Sequence, residues 1–171
     1  EGADILETDL HLSADGEFMC IHDKTVDRTT DGSGAVSEKT LAELKKLSAF
    51  NGFEDYRDQR IPTLKETAGM LPADVGLALE LKTDRFLELE VCRKLVNELV
   101  EYGIFNRTII LSFSLSRMET VKAVEPSIPM GWITMARFRP DPIPEVLGPF
   151  WPALFLNPFF AARAHKRGQL V

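Results

Sequence analysis

The feature that most constrains the fold of this chain is a regular alternation between two periodicities. Runs with a two-residue period, such as ADILETDLHL at residues 3–12 and VGLALELK at residues 75–82, predict strands. Between such runs lie segments with helical spacing of apolar residues, of which the longest extends from about Arg85 to Tyr102 and stops before Gly103. Strands that alternate with helices are typical of parallel β/α units. The sequence therefore predicts an α/β fold.

Turn and capping signals divide the rest of the chain. Asp15-Gly16 predicts a tight turn that leads into a second extended run, Glu17 to His22. Thr40-x-x-Glu43 and Thr63-x-x-Glu66 are capping boxes, and each predicts a short helix. Further along, we predict strands at residues 107–113, 130–134 and 153–156, and helices at residues 116–124 and 159–167.

Two of the predicted strands carry carboxylates on one face only, near their C-terminal ends. A doubly wound sheet normally has strands that are apolar on both faces, whereas a β/α barrel places its active site at strand C-termini. A closed barrel typically needs about 250 residues, and this chain has 171. We therefore expect residues 1–171 to form a single incomplete domain, a partial TIM-type (β/α)8 barrel. It should lack the first strand and the last strands and carry a small hairpin-like insertion after the E-x-D strand.

Composition excludes several classes of protein. The net charge is -6, from 26 acidic and 20 basic side chains, and no basic block predicts nucleic-acid binding. No apolar run reaches the length of a transmembrane helix. Cys20 and Cys92 lack metal-site spacing and are expected to be buried, reduced thiols, which favours a compartment such as the cytoplasm. The chain begins without Met, so we expect a truncated domain, and a signal peptide cannot be assessed.

Three carboxylates are candidate metal ligands. Glu7 and Asp9 are two residues apart on one strand, so both point to the same side with their Cα atoms about 6–7 Å apart. Glu80 adds a third carboxylate from another strand, on the face opposite its leucines. Such charges repel each other unless a cation lies between them, and oxygen ligands suit Mg²⁺ or Ca²⁺. The alternative is that each carboxylate is a solvated residue at a strand end.

Histidine and lysine residues offer further chemistry. His22 ends the second extended run and precedes Asp23, so it is a candidate general acid or base, or a structural histidine with a hydrogen-bond partner. His11 continues the face of the acidic pair but is expected to lie outside the metal ligands. Lys82 shares the face of Glu80 and is either a phosphate ligand, a counter-charge to the carboxylates or a surface lysine. His165 is expected at a helix C-terminus, where the helix dipole favours it.

Residues 2–34, GADILETDLHLSADGEFMCIHDKTVDRTTDGSG, closely resemble the glycerophosphodiester phosphodiesterase family. The resemblance lies in the acidic E-x-D strand, the D-G turn, the H-D pair and the D-R-T-T-x-G-x-G loop, taken in that order. It continues through RIPTL at residues 60–64, the E-x-K strand at residues 80–82, Ser112-Phe113, Leu156-Asn157-Pro158 and the helix end at residues 165–168. It therefore covers nearly the whole chain.

The resemblance implies a TIM-type barrel that hydrolyses small-molecule glycerophosphodiesters to glycerol 3-phosphate and an alcohol, with a divalent cation, Mg²⁺ or Ca²⁺. It implies that Glu7, Asp9 and Glu80 bind the metal. It also implies that His22 is one of two catalytic histidines. Lys82 would lie near the phosphate, as a catalytic and substrate-binding residue.

The chain departs from the family at both ends. Members carry a His-Arg-Gly segment and a Pro-Glu-Asn turn upstream of the E-x-D strand, and a Trp-Thr-Val-Asn-like strand after the last helix; these are not in this sequence. A second catalytic histidine and a phosphate-binding arginine are therefore absent from these 171 residues. We accordingly expect activity of the parent protein rather than of the fragment.

Two other functions are consistent with the sequence. One is a related barrel that cleaves phospholipid head groups, for which Phe150-Trp151 and Phe159-Phe160 would form an apolar rim, although core packing also explains them. The other is a non-catalytic remnant that binds phosphodiesters or a partner protein.

Overall fold

The computed structural model describes residues 2–135 and 144–171, without the side chain of Ala153, and these residues form two compact units. The first unit is Glu1–Arg85 and the second is Phe86–Val171. Within the described residues, no helix combines the length and the apolar character that crossing a lipid bilayer requires.

The first unit is organised around strand β1, Ile5–Leu12. β1 pairs antiparallel with β2, Phe18–Cys20, and parallel with β3, Gly76–Leu81. The turn between β1 and β2 contains Gly16 at a φ of 82°, a conformation in which glycine pays no side-chain penalty. The expected hairpin and the expected E-x-K strand are therefore both present.

Two short helices of the first unit begin at the two predicted capping boxes. In α1, Leu41–Leu44, the Thr40 side chain accepts a hydrogen bond from the Glu43 N–H, and the Glu43 carboxylate accepts one from the Thr40 N–H. In α2, Leu64–Met70, Thr63 and Glu66 repeat the arrangement. Buried apolar side chains from β2, the loop after it, α1 and the segment before α2 form a core cluster: Met19, Ile21, Val26, Val36, Leu44 and Ile61.

Along β1, the burial of a side chain depends on its position in the strand as well as on the face of the sheet to which it points. The first half is exposed, including Leu6 at 43%, whereas Leu10, His11 and Leu12 are all buried. The simple two-face alternation expected from the sequence is thus present only in part, since the three residues that pair with β2 are buried whichever face they occupy.

The second unit contains a parallel sheet. The unit begins with a 3-10 turn and helix α3, Leu89–Glu101. This helix packs against α4, Leu115–Val124. Strands β4, Thr108–Ser112, β5, Met130–Thr134, and β6, Val146–Pro149, lie side by side in that order and are parallel. Helices α5, Trp151–Leu156, and α6, Phe160–His165, follow.

One predicted strand is wrong. Residues 153–156 belong to helix α5, and the strand of this region is β6, at Val146–Pro149. A short apolar run has no periodicity that separates strand from helix. Pro152 is the second residue of α5, where a missing N–H breaks no hydrogen bond within the helix, so it does not interrupt α5.

Candidate active site

The register of two parallel strands brings three carboxylates together. β1 and β3 are aligned so that Asp9 lies directly opposite Glu80, and Glu7 precedes Asp9 by two residues on the same side. One carboxylate oxygen from each of the three residues lies within 4.8 Å of the others. Oxygens that share one Mg²⁺ or Ca²⁺ ion at 2.0–2.6 Å lie no more than about 5 Å apart. The geometry and the all-oxygen donor set therefore fit a hard divalent cation.

Lys82 lies between two of these carboxylates. Its Nζ atom is 3.1 Å from Asp9 Oδ1 and 3.0 Å from Glu80 Oε1. The three side chains are only 9–17% exposed, so the ammonium group compensates two negative charges that water solvates poorly. Burial lowers the pKa of Lys82, but hydrogen bonds to Glu80 and Asp9 outweigh it and raise the pKa above its ordinary value. Lys82 is therefore a cation held inside the acidic cluster, which excludes the surface-lysine alternative.

Glu7 differs from the other two carboxylates because it makes no ion pair with Lys82 and is exposed at the residue level. Desolvation, followed by repulsion from Asp9 and Glu80, raises the pKa of Glu7 above 4.5. An acid with a raised pKa in the folded state costs folding free energy once the pH exceeds its unfolded pKa. A cation bound beside Glu7 would therefore stabilise its charged form.

His22 follows the end of β2 and is hydrogen-bonded to its neighbour. Its Nδ1 atom lies 2.7 Å from Asp23 Oδ1, and its side chain is 64% exposed. His11 is buried, and its Nε2 atom lies 3.2 Å from the backbone oxygen of His22. A carbonyl oxygen only accepts, so Nε2 of His11 carries the proton, and burial lowers the pKa of this imidazole. The Nε2 atom of His11 therefore donates its hydrogen bond to the backbone of His22.

A cleft of about 440 Å³ connects these groups. It is lined by the two histidines, by Lys82 and by the start of the following loop: His11, His22, Asp23, Lys24, Thr25 and Lys82. The start of the loop that follows β2, residues 23–25, thus lines the cleft. The register of β1 and β3 brings Glu7, Asp9 and Glu80 together, and His22 and Lys82 line the neighbouring cleft; the roles predicted for these five residues stay predictions.

Sequence reasoning gave no role to one residue of this region, Arg28. It forms a two-point contact with Asp23, with Nε 2.6 Å from Oδ2 and Nη2 3.0 Å from Oδ1. The signal was available in the D-R-T-T loop, five residues after Asp23, but a loop spacing does not show where a side chain points. The segments considered as an apolar rim lie in the second unit, where Phe150, Trp151 and Phe159 are exposed and Phe160 is buried. His165 is exposed in the last turn of α6, as expected.

The fold and the site together define a class. Parallel strands and helices carry a carboxylate cluster able to hold a cation, a lysine within it and a histidine beside the same cleft. Such a grouping of polar side chains on parallel strands that alternate with helices is typical of α/β-barrel proteins.

Comparisons with known proteins agree with this class. A sequence model of the glycerophosphoryl diester phosphodiesterase family matches residues 1–150. The glycerophosphodiester phosphodiesterase of Caldanaerobacter subterraneus subsp. tengcongensis is 39% identical over 132 residues, which are 76% of this chain and 54% of that protein. The chain therefore spans about half the length of the curated relatives it matches.

Solved structures give the same result. The crystal structure of a glycerophosphodiester phosphodiesterase from Agrobacterium tumefaciens str. C58 matches 98% of this chain and 72% of that chain, with a TM-score of 0.81 and 25% identity. A phosphodiesterase from Oleispira antarctica, solved in complex with the product sn-glycerol-3-phosphate, matches 79% of this chain and 56% of that chain. Its TM-score is 0.73 and its identity 34%. The chain belongs to the glycerophosphoryl diester phosphodiesterase family, and the predicted α/β, TIM-type fold class is confirmed.

Proposed function

We propose that the protein containing this chain hydrolyses glycerophosphodiesters to glycerol 3-phosphate and an alcohol. The observation that carries the proposal is the convergence of Glu7, Asp9 and Glu80, with Lys82 among them, beside the cleft that His22 lines. Family membership and the glycerol-3-phosphate complex of the Oleispira antarctica relative support this substrate class over a phospholipid surface.

Glu7, Asp9 and Glu80 would hold a divalent cation, Mg²⁺ or Ca²⁺, through carboxylate oxygens. When bound, such an ion supplies charge neutralisation at the phosphate oxygens and orients the substrate. Lys82 lines the cleft and adds a positive charge next to the same carboxylates, where a phosphate oxygen is a natural further partner.

His22 would perform one of the two proton transfers of the reaction. Its Nδ1 atom is engaged by a carboxylate, which accepts but does not donate, so Nδ1 carries a proton. The second ring nitrogen, Nε2, is then the atom that exchanges a proton with the substrate. In the protonated state it gives that proton to the leaving alcohol oxygen; in the neutral state it takes one from the attacking water.

A leaving-group comparison tests this role in the intact protein. With glycerophosphocholine, His22→Ala should slow turnover roughly 10²- to 10⁴-fold, the usual contribution of a positioned acid or base. With the glycerophosphate ester of nitrophenol the loss should be much smaller, because nitrophenolate departs without protonation. His165→Ala, an exposed histidine in α6, is the matched control and should leave both rates unchanged.

Each other outcome has a definite meaning. Equal losses on the two substrates would contradict the acid role of His22. Absence of turnover in the intact protein with either Mg²⁺ or Ca²⁺ would contradict hydrolysis and favour a module that only binds phosphodiesters.

A further inference from the structure

Arg28 is connected to His22 through one carboxylate. The guanidinium group approaches Asp23 side-on and uses both oxygens, with Nε 2.6 Å from Oδ2 and Nη2 3.0 Å from Oδ1. The same Oδ1 accepts the hydrogen bond from His22 Nδ1 at 2.7 Å. Because two parallel hydrogen bonds fix a carboxylate in its plane, Asp23 cannot turn away from His22 without breaking the contact with Arg28.

This contact contributes little to overall stability. The side chain of Arg28 is 58% exposed and that of Asp23 is 27% exposed, and water screens ion pairs of this kind so that they add little to stability. What the contact does fix is orientation and charge. The hydrogen bond from Arg28, followed by that from His22, holds the pKa of Asp23 far below its ordinary value, so Asp23 stays an anion that only accepts hydrogen bonds.

The loop that carries Arg28 is itself held in place on both sides. Thr25 and Ala35 form an antiparallel bridge across it, and the Asp27 carboxylate accepts a hydrogen bond from the N–H of Gly34 at 3.1 Å. The N–H of Thr30 donates to the carbonyl of Val26, which is fully buried in the core cluster. The backbone on either side of Arg28 is therefore anchored, and its guanidinium group is presented in a defined position.

We infer that Arg28 is a positioning residue, which acts through Asp23 to select the Nδ1-protonated tautomer of His22 and to orient its ring toward the cleft. The inference rests on the proposed function in that it assigns proton transfer to His22 Nε2. It adds that the availability of Nε2 depends on a residue that does not itself line the cleft.

The first test reads the tautomer directly and needs no turnover. Long-range ¹H–¹⁵N correlation spectra of the His22 ring, recorded above its titration range, should show predominantly the Nδ1-H form in the native protein. In Arg28→Ala this preference should weaken to a mixture of tautomers, and guanidinium ion at a concentration well below denaturing levels should restore it. Arg28→Lys keeps the charge but loses the two-point contact, so it should restore the preference only in part.

The matched control is Arg57→Ala. Arg57 makes the same kind of exposed two-point contact with Glu54, at 2.7 and 2.6 Å, but far from His22 in the sequence and outside the cleft lining. Its removal should leave the His22 spectrum unchanged, and guanidinium should have no effect on it.

The second test measures turnover of glycerophosphocholine by the intact protein. Arg28→Ala should reduce the rate roughly 10- to 100-fold, the usual effect of a residue that acts through another group, and guanidinium should recover part of the loss. An unchanged His22 tautomer in Arg28→Ala would overturn the inference, whatever the rate. A shifted tautomer together with full activity of His22→Ala would instead refute the catalytic role of His22 and leave the positioning by Arg28 intact.

Discussion

At the level of single residues, Lys82 and the proposed divalent cation would share one task. Lys82 neutralises Asp9 and Glu80, which are mostly shielded from water, and a cation held by the same carboxylates would do so as well. Lys82 forms ion pairs with two of the three carboxylates, and the raised pKa of the third, Glu7, shows that its ionisation is disfavoured in the folded chain. The folded chain is therefore compatible with the acidic cluster in the absence of a metal. Binding of a cation would still be favourable, because Lys82 does not pair with Glu7.

The Asp9→Asn variant distinguishes metal binding from charge compensation by Lys82. Asp9→Asn removes one anionic ligand, so affinity for Mg²⁺ or Ca²⁺ measured by calorimetric titration should fall by at least roughly 10-fold. The free energy of unfolding without metal should change by no more than about 1 kcal/mol, because the Asn oxygen can still accept from Lys82. The loss of repulsion on Glu7 further offsets the loss of the ion pair.

Asp31→Asn is the control for this titration. Asp31 lies in the loop after β2, where its Oδ1 accepts a hydrogen bond from the N–H of Ser48, and an Asn oxygen preserves that bond. Metal binding should be unaffected there. Unchanged affinity in Asp9→Asn would refute the ligand assignment.

The same residues show what a sequence can and cannot predict about a site. The convergence of three carboxylates was predictable for Glu7, Asp9 and Glu80, because the two-residue period of a strand decides which side chains share a face. The contact between Lys82 and both carboxylates depends on the register of β1 against β3, which the sequence of neither strand specifies alone. Arg28 reaches Asp23 through a loop, and loop paths have no periodicity from which to predict them.

At the level of elements, helices that begin with a polar capping box were predicted more accurately than the element formed by a short apolar run. The starts of α1 and α2 were predictable because a capping box satisfies specific backbone N–H groups. The run from Trp151 to Leu156 contains no such signal, and there the predicted strand proved to be helix α5.

The second capping box gives a stability prediction for one element. Thr63→Ala removes the acceptor for the Glu66 N–H at the start of α2, so the free energy of unfolding in urea should fall by about 1 kcal/mol. Thr120→Ala is the contrast, because the hydroxyl of Thr120 bonds back to the Ser116 carbonyl inside α4 and contributes no cap. It should be neutral or slightly stabilising; equal losses for the two variants would contradict the capping role of Thr63.

For the whole molecule, the proposed site draws all its named residues from one compact unit. Glu7, Asp9, His22, Glu80 and Lys82 all lie within Glu1–Arg85. Each unit also contains one buried free thiol, Cys20 in the first and Cys92 in the second. Burial raises the pKa of both thiols, that of Cys92 to about 11, so near pH 8 neither should react until its surroundings open.

The rate at which each thiol is labelled therefore measures how strongly a bound metal stabilises the compact unit that contains that thiol. Cys20 belongs to β2, and the next residue, Ile21, donates its N–H to the carbonyl of Asp9, so exposing Cys20 disturbs the strand that holds the carboxylates. In a Cys92→Ala variant at pH 8, a cation at 100 times its Kd should slow labelling of Cys20 by about 100-fold, because only the closed state binds it. Adding Asp9→Asn should largely abolish the slowing at the same cation concentration.

Labelling of Cys92 in a Cys20→Ala variant should slow less, and equal slowing would show that the two units open in one transition. Labelling of Cys20 that is insensitive to both Mg²⁺ and Ca²⁺ would contradict a metal site built from Glu7, Asp9 and Glu80.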